Sequence, residues 1–200
     1  MHNAIIHLKR QDPILGGIID QVGDYQIKFR DPDFETLVKS IVLQQLSGRV
    51  ASVIFGRLGA AVGGKITPAG VLKLRPCRMR TLGLSGQKTA YIRDLARHVR
   101  DGKLVFEDLA DLPDASVIER LTEVKGVGVW TVHMFLIFAL RRADVLPTGD
   151  LGIRNAIRKA YNLEELPSPS EIEAMAQRWR PYCTVASWYL WRSLEPNANL

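Results

Sequence analysis

Cysteine is nearly absent. Cys77 and Cys183 are the only two in 200 residues, too few for a disulfide scaffold, a four-thiolate zinc site or an iron–sulfur cluster. His98 and His133 have no carboxylate or cysteine at metal-ligand spacing, so both read as structural, and neither a metal site of that kind nor an organic cofactor is expected. Long apolar runs are missing too. The longest, residues 129–140, is interrupted by Thr131 and His133 and falls short of the roughly 20 residues that cross a bilayer; it reads as a buried helix, and no membrane partner is expected. The first ten residues lack the apolar stretch and small-residue cleavage site of a secretory leader, which gives the cytoplasm as the expected address, beside the nucleoid in a bacterium. Strand-like alternation is scarce, since only Tyr25-Gln26-Ile27-Lys28-Phe29 shows it, and one such segment cannot build a sheet alone. There is no repeat of fixed period and no low-complexity tract.

What is present is a globular composition, 46% hydrophobic and 24% charged, able to bury a core. Helical spacing dominates. Phe34, Leu37, Val38 and Ile41 fall at i, i+3, i+4, i+7 behind Asp31-Pro32-Asp33, a helix-start pattern. Ile92, Leu95, Ala96 and Val99 repeat the spacing and end at Asp101-Gly102; Ser47-Gly48, Thr67-Pro68 and Ser168-Pro169-Ser170-Glu171 mark further starts. The expected fold class is all-α, with about ten helices joined by short turns.

The charge is unevenly placed. Between Arg75 and Lys103 stand eight basic residues, Arg75, Arg78, Arg80, Lys88, Arg93, Arg97, Arg100 and Lys103, against Asp94 and Asp101, an excess equal to the whole net charge of +6. Such a field suits a polyanion, nucleic acid first, although a solvated helix face that keeps the protein soluble has the same appearance.

After a helix carrying Val117, Ile118, Leu121 and Val124 comes Lys125-Gly126-Val127-Gly128, and then the apolar helix opens with Val129-Trp130-Thr131. Two glycines one residue apart permit a turn too tight for a Cβ and bare the first amides of the next helix at its positive dipole end. An anion fits there, and a DNA backbone phosphate is the natural one. A plain helix–helix turn uses the same residues.

The segment Leu121–Thr131 resembles the helix–hairpin–helix of the base-excision DNA glycosylases. In that superfamily the hairpin is followed at this distance by a Gly/Pro-rich loop and an essential aspartate, which Val145-Leu146-Pro147-Thr148-Gly149-Asp150-Leu151-Gly152-Ile153 matches at Asp150. The closer resemblance is to the alkylbase (3-methyladenine type II) DNA glycosylases, through residues 7–15, Ile41-Val42-Leu43-Gln44-Gln45-Leu46-Ser47, Leu82-Gly83-Leu84-Ser85-Gly86-Gln87-Lys88 and Arg178-Trp179-Arg180-Pro181-Tyr182. The match spans nearly the whole chain in order. It starts at the helical core, so the β-rich N-terminal domain that some relatives carry is expected to be missing.

The resemblance implies two helical lobes, residues 31–146 ending in the hairpin and residues 1–30 plus 147–200, with the active site in a cleft between them. It implies a monomer acting on double-stranded DNA that contains damaged bases. Asp150 would stabilise the positive charge that builds on the sugar as a purine leaves, and orient or deprotonate water; as an Asp before Leu151-Gly152-Ile153-Arg154 it is also an N-cap. Trp130 stands where bifunctional members carry a nucleophilic lysine, so an enzyme that uses water and leaves an abasic site is expected. Its ring would stack on a cationic base, or pack in the core. Leu46 matches the wedge that fills the gap left by the flipped nucleotide, with a core leucine as the other reading. Gln44, Gln45 and Tyr182 are candidates for the base pocket. Gly126, Gly128, Thr131 and Lys88 are candidates for phosphate contact, and hairpin carbonyls for a monovalent cation. Trp179, Trp188, Tyr189 and Trp191 read mostly as packing between the lobes. Two alternatives remain at this point: a glycosylase for deaminated or oxidised bases on the same scaffold, and a non-catalytic hairpin module that only binds DNA.

Overall fold

A computed structural model describes residues 1–194. Its described residues form twelve α-helices and two short 3-10 turns, with no strand. In chain order the helices are α1 (His2–Gln11), α2 (Pro13–Val22), α3 (Phe34–Leu43), α4 (Gly48–Val62), α5 (Pro68–Lys73), α6 (Pro76–Thr81), α7 (Gly86–Arg100), α8 (Asp114–Thr122), α9 (Val129–Phe138), α10 (Leu151–Ala160), α11 (Pro169–Ala176) and α12 (Cys183–Leu194). The alternating segment 25–29 forms no strand and lies in the connection between α2 and α3.

The helix starts follow from local chemistry. Asp33, Thr67 and Ser85 each accept a hydrogen bond from the amide three residues on, and Ser168 and Glu171 close a reciprocal capping box; each such cap contributes about 1 kcal/mol. Ser47 starts α4 without a side-chain cap.

The chain divides into two compact units, residues 30–135 and residues 1–29 plus 136–200. The expected hairpin lobe ran on to residue 146, but residues 136–146 group with the other unit. The reason lies in their packing: Leu146 joins the core of that unit, and the Phe138 ring stacks on Trp191 at 6.0 Å and 24°.

In the unit 30–135, α7 lies against α3, α5 and α6, and α3 against α4. Leu37, Val38 and Ile41 of α3 and Ile92, Leu95 and Ala96 of α7 are completely buried, each large side chain contributing roughly 1.5–3 kcal/mol. Arg93, from the basic stripe, bonds the Leu74 carbonyl at 2.6 Å and so closes the end of α5, where a cation suits the helix dipole. Arg75, Arg78, Arg80, Arg97, Arg100 and Lys103 stay exposed.

In the other unit, α12 packs on α2, α10 and α1, and every residue from Cys183 to Leu190 is buried. Trp179, Trp188 and Tyr189 belong to this unit's own core. Asp12 knots the unit together. It caps α2 through the Leu15 amide and accepts from the Trp179 indole at 2.8 Å and the Tyr161 hydroxyl, with Arg178 at 3.4 Å. Burial opposes its ionisation, but the hydrogen bonds from Tyr161, Trp179 and Leu15 and the Arg178 charge outweigh it and hold the carboxyl below the usual range.

Candidate DNA-binding and catalytic groups

The hairpin is built around one glycine more than the other. Gly126 has φ +80°, and a Cβ there would lie 2.0 Å from the Tyr91 ring, so no side chain fits on either count. Gly128 has no such φ and nothing within 4 Å of the place of a Cβ. Its bareness leaves space at the start of α9, where the Val132 amide bonds the Gly128 carbonyl at 3.1 Å. An α-helix provides no backbone acceptor for amides ahead of its first such bond, and Thr131, its side chain buried, lies in that first turn. α9 is mostly apolar, yet Val129 and Trp130 at its opening are 50% and 48% exposed. Trp130 is therefore not a core tryptophan.

Long-range contacts bind the α3–α4 turn to this hairpin. The Gln44 side-chain amide donates to the Gly126 carbonyl at 2.9 Å, and the Lys88 ammonium donates to the carbonyls of Val42 and Gln44 at 2.7 and 2.6 Å. Lys88 is thus committed to the end of α3, and burial pushes its ammonium below the usual lysine range. Of the two glutamines, Gln44 holds the turn and Gln45 is exposed in the left-handed region at φ 58°, a strain of about 1–3 kcal/mol that the surrounding contacts must sustain. Leu46 follows, with its amide bonded to the Leu43 carbonyl and its side chain 36% exposed. It protrudes from a turn and is not a core leucine.

The carbonyls of Val124, Gly126 and Gly128 accept hydrogen bonds from the Val127 amide, the Gln44 side chain and the Val132 amide. Among the described residues no cluster of three His, Cys, Asp or Glu could hold a metal.

Asp150 lies in the other unit, half-buried at the start of α10. The loop before it is tied to α12: Asp144 accepts from the Cys183 amide at 3.1 Å and from Arg180 at 2.8 Å, and the Thr184 hydroxyl bridges the Arg142 carbonyl and the Val145 amide. Two tight turns, Thr148 to Leu146 and Asp150 to Pro147, then deliver the acid. Its Oδ1 receives the Ile153 amide at 2.8 Å, as the cap reading expects, and also the Trp191 indole N–H at 2.8 Å. A Cβ on Gly152 would stand 2.9 Å from that oxygen and 3.1 Å from the indole Cδ1. Glycine inside a helix costs roughly 1 kcal/mol relative to alanine; here it leaves room for the pair. Trp191 and Gly152 were missed as site residues in the sequence, where only an aromatic-rich C-terminal helix was visible. Tyr182 is half-buried in the same unit, its ring edge-on to His7 at 5.3 Å.

An all-helical chain with a glycine hairpin opening one helix, a protruding leucine and a doubly held aspartate opening the next helix has the make-up of a helix–hairpin–helix protein. The chain belongs to the HhH-GPD superfamily of base excision DNA repair proteins, whose family model matches residues 38–181. It is 33% identical to DNA-3-methyladenine glycosylase 1 of Schizosaccharomyces pombe over 197 residues, 95% of this chain and 86% of that relative. A structure of the Schizosaccharomyces pombe 3-methyladenine DNA glycosylase Mag1 in complex with abasic DNA superposes at a TM-score of 0.85, with 33% identity and 95% of both chains covered. The DNA-3-methyladenine glycosidase of Bacillus halodurans superposes at 0.87, with 36% identity and 96% and 89% covered. Among the described residues no helix is long and apolar enough to cross a membrane.

Proposed function

We propose that this chain is a monofunctional DNA glycosylase that hydrolyses the N-glycosidic bond of alkylated purines, of the 3-methyladenine and 7-methylguanine type, in base excision repair. The observation that carries the reading is Asp150, a half-buried carboxylate with one oxygen fixed by two donors at 2.8 Å, in a chain whose relatives are 3-methyladenine glycosylases.

The hairpin amides of Gly126, Gly128 and Thr131 grip a backbone phosphate without reading sequence. Leu46 enters the duplex where the damaged nucleotide leaves the stack, at a cost of a few kcal/mol that is lowest for a poorly paired base. Trp130 stacks on the extruded base, a cation, worth roughly 0.5–2 kcal/mol, and Gln45 and Tyr182 are further candidates for contact with that base. A purine alkylated at a ring nitrogen departs without a general acid. The anomeric carbon turns positive as it leaves, Asp150 stabilises that charge, and water adds with loss of a proton to give the abasic site. Trp130 has no amine to form a Schiff base, so the strand stays intact. The protein acts as a monomer in the cytoplasm, beside the nucleoid if its source is a bacterium.

The test is incubation with methylated duplex DNA, followed by measurement of free base and by hot alkali. Free 3-methyladenine, with strand breaks only after alkali, is the expected result. Asp150→Asn lowers single-turnover release by about 10³-fold or more while binding to abasic-site DNA persists. Breaks without alkali, or full activity in Asp150→Asn, overturn the reading; a lesion panel that yields only deaminated or oxidised bases moves the substrate class.

A further inference from the structure

We propose that Trp191 is a positioning residue for the Asp150 carboxylate, and that Gly152 is glycine because their hydrogen bond needs its space. This rests on the reading of Asp150 given above and extends it to two residues which that reading does not use.

An N-cap hydrogen bond alone fixes one carboxylate oxygen at the end of a helix but leaves the plane of the group able to swing about that contact. Here the same oxygen, Oδ1, takes a second donor, the Trp191 indole N–H, from a helix 41 residues away in sequence. Two donors on one oxygen from two helices define where the rest of the group points. The indole is in turn held, because its ring stacks on Phe138 at 6.0 Å, and its N–H is part-buried where it meets Asp150. Gly152 completes the arrangement by omission. Any Cβ there would come within 2.9 Å of Oδ1, 3.1 Å of the indole Cδ1 and 3.3 Å of its Nε1, pressing on both partners at once. A packing role alone for Trp191 explains the stack on Phe138 but not the bare position beside the bond. Charge stabilisation in a transition state depends on alignment, and a displacement of about 1 Å costs on the order of 100-fold in rate.

Trp191→Phe keeps a ring for the stack and deletes the N–H; Gly152→Ala keeps the N–H and crowds the bond. With 3-methyladenine-containing duplex under single-turnover conditions, each variant is expected to lose about 10- to 100-fold in the maximal rate of base release. The dissociation constant for abasic-site duplex and the melting temperature of Trp191→Phe stay close to wild type. Because both changes act on one bond, the double variant falls no more than about twofold below the slower single variant. A wild-type rate in Trp191→Phe, a loss that appears equally in DNA affinity and melting temperature, or multiplicative losses in the double variant overturn the proposal while the glycosylase reading stands. A wild-type protein that frees no base from alkylated DNA overturns both.

Discussion

In residues 30–135 the groups proposed to hold phosphate are backbone amides of the hairpin, and the hairpin and the neighbouring left-handed turn are held in shape by side chains that reach in from elsewhere: Tyr91 against Gly126, Gln44 on its carbonyl, Lys88 on the end of α3. In residues 1–29 and 136–194 the group proposed for catalysis is a side chain, Asp150, and it is held by an amide and an indole on a scaffold knotted by the ion pairs of Asp12 with Arg178 and Asp144 with Arg180. The contrast suits the two tasks. Phosphate is found throughout the duplex and asks only for donors at a fixed curvature, whereas a transient sugar cation asks for one charge at one place. The first unit is accordingly vulnerable to added bulk, and the second to removal or protonation of a carboxylate.

The sharpest way to break this contrast is Gly126→Ala. The added methyl meets the Tyr91 ring in a backbone region that disfavours it, and a loss of about 4 kcal/mol in unfolding free energy is expected. Gly128→Ala, with open space around it, is expected within about 1 kcal/mol of wild type, so urea midpoints that match for the two variants would remove the basis for treating the glycines differently. Asp12→Ala strands the Trp179 and Tyr161 donors and the Arg178 charge; about 3 kcal/mol is expected, read from the same urea transitions.

Acid sharpens the comparison from the other direction. Asp12 binds its proton less tightly folded than unfolded, so its stabilisation is complete above the ordinary value of 3.8 and is lost as the pH falls through the lower folded value. Asp144, also held low because hydrogen bonds from Cys183 and Arg180 outweigh its burial, adds to the effect. Urea midpoints are expected to fall steeply below pH 4, and in Asp12→Asn part of that slope disappears; an unchanged slope would show that the knot is not where the acid sensitivity lies. A small effect, about 1 kcal/mol, is expected for Lys88→Met. A lysine on a phosphate would, when removed, lower the salt dependence of DNA binding by about one unit of slope. A lysine that holds the α3–α4 turn leaves the slope unchanged and weakens binding alike at all salt concentrations.

Local chemistry was legible in the sequence and distant pairing was not. Asp33, Thr67 and Ser168 announce their helices because a cap and its amide are three residues apart, and Asp150 is readable as a cap for the same reason. The Gly-x-Gly turn is readable as a hairpin, but its two glycines look alike until Tyr91 is placed over one of them. Gln44 to Gly126 spans 82 residues, Lys88 to Gln44 spans 44 and Tyr161 to Asp12 spans 149; no period or local motif encodes such partners. Lys88 was read as a phosphate ligand because charge is visible in a sequence and the carbonyls that absorb it are not. Trp191 reads as packing in the sequence for a related reason: an indole on an aromatic-rich helix gives no sign that its N–H meets an acid.

The carboxylate of Asp150 hangs from two helices at once, since the Ile153 amide rides on α10 and the indole on α12. Ile153 and Ile157 share a core with Ala186 and Leu190, so the apolar packing of that helix pair sets the register of both donors. A slide of one helix along the other would strip the oxygen of a donor with no change in any polar residue. Methyl-sized edits deep in this seam can therefore detune the chemistry from a distance, leaving the acid, its cap and the hairpin all intact.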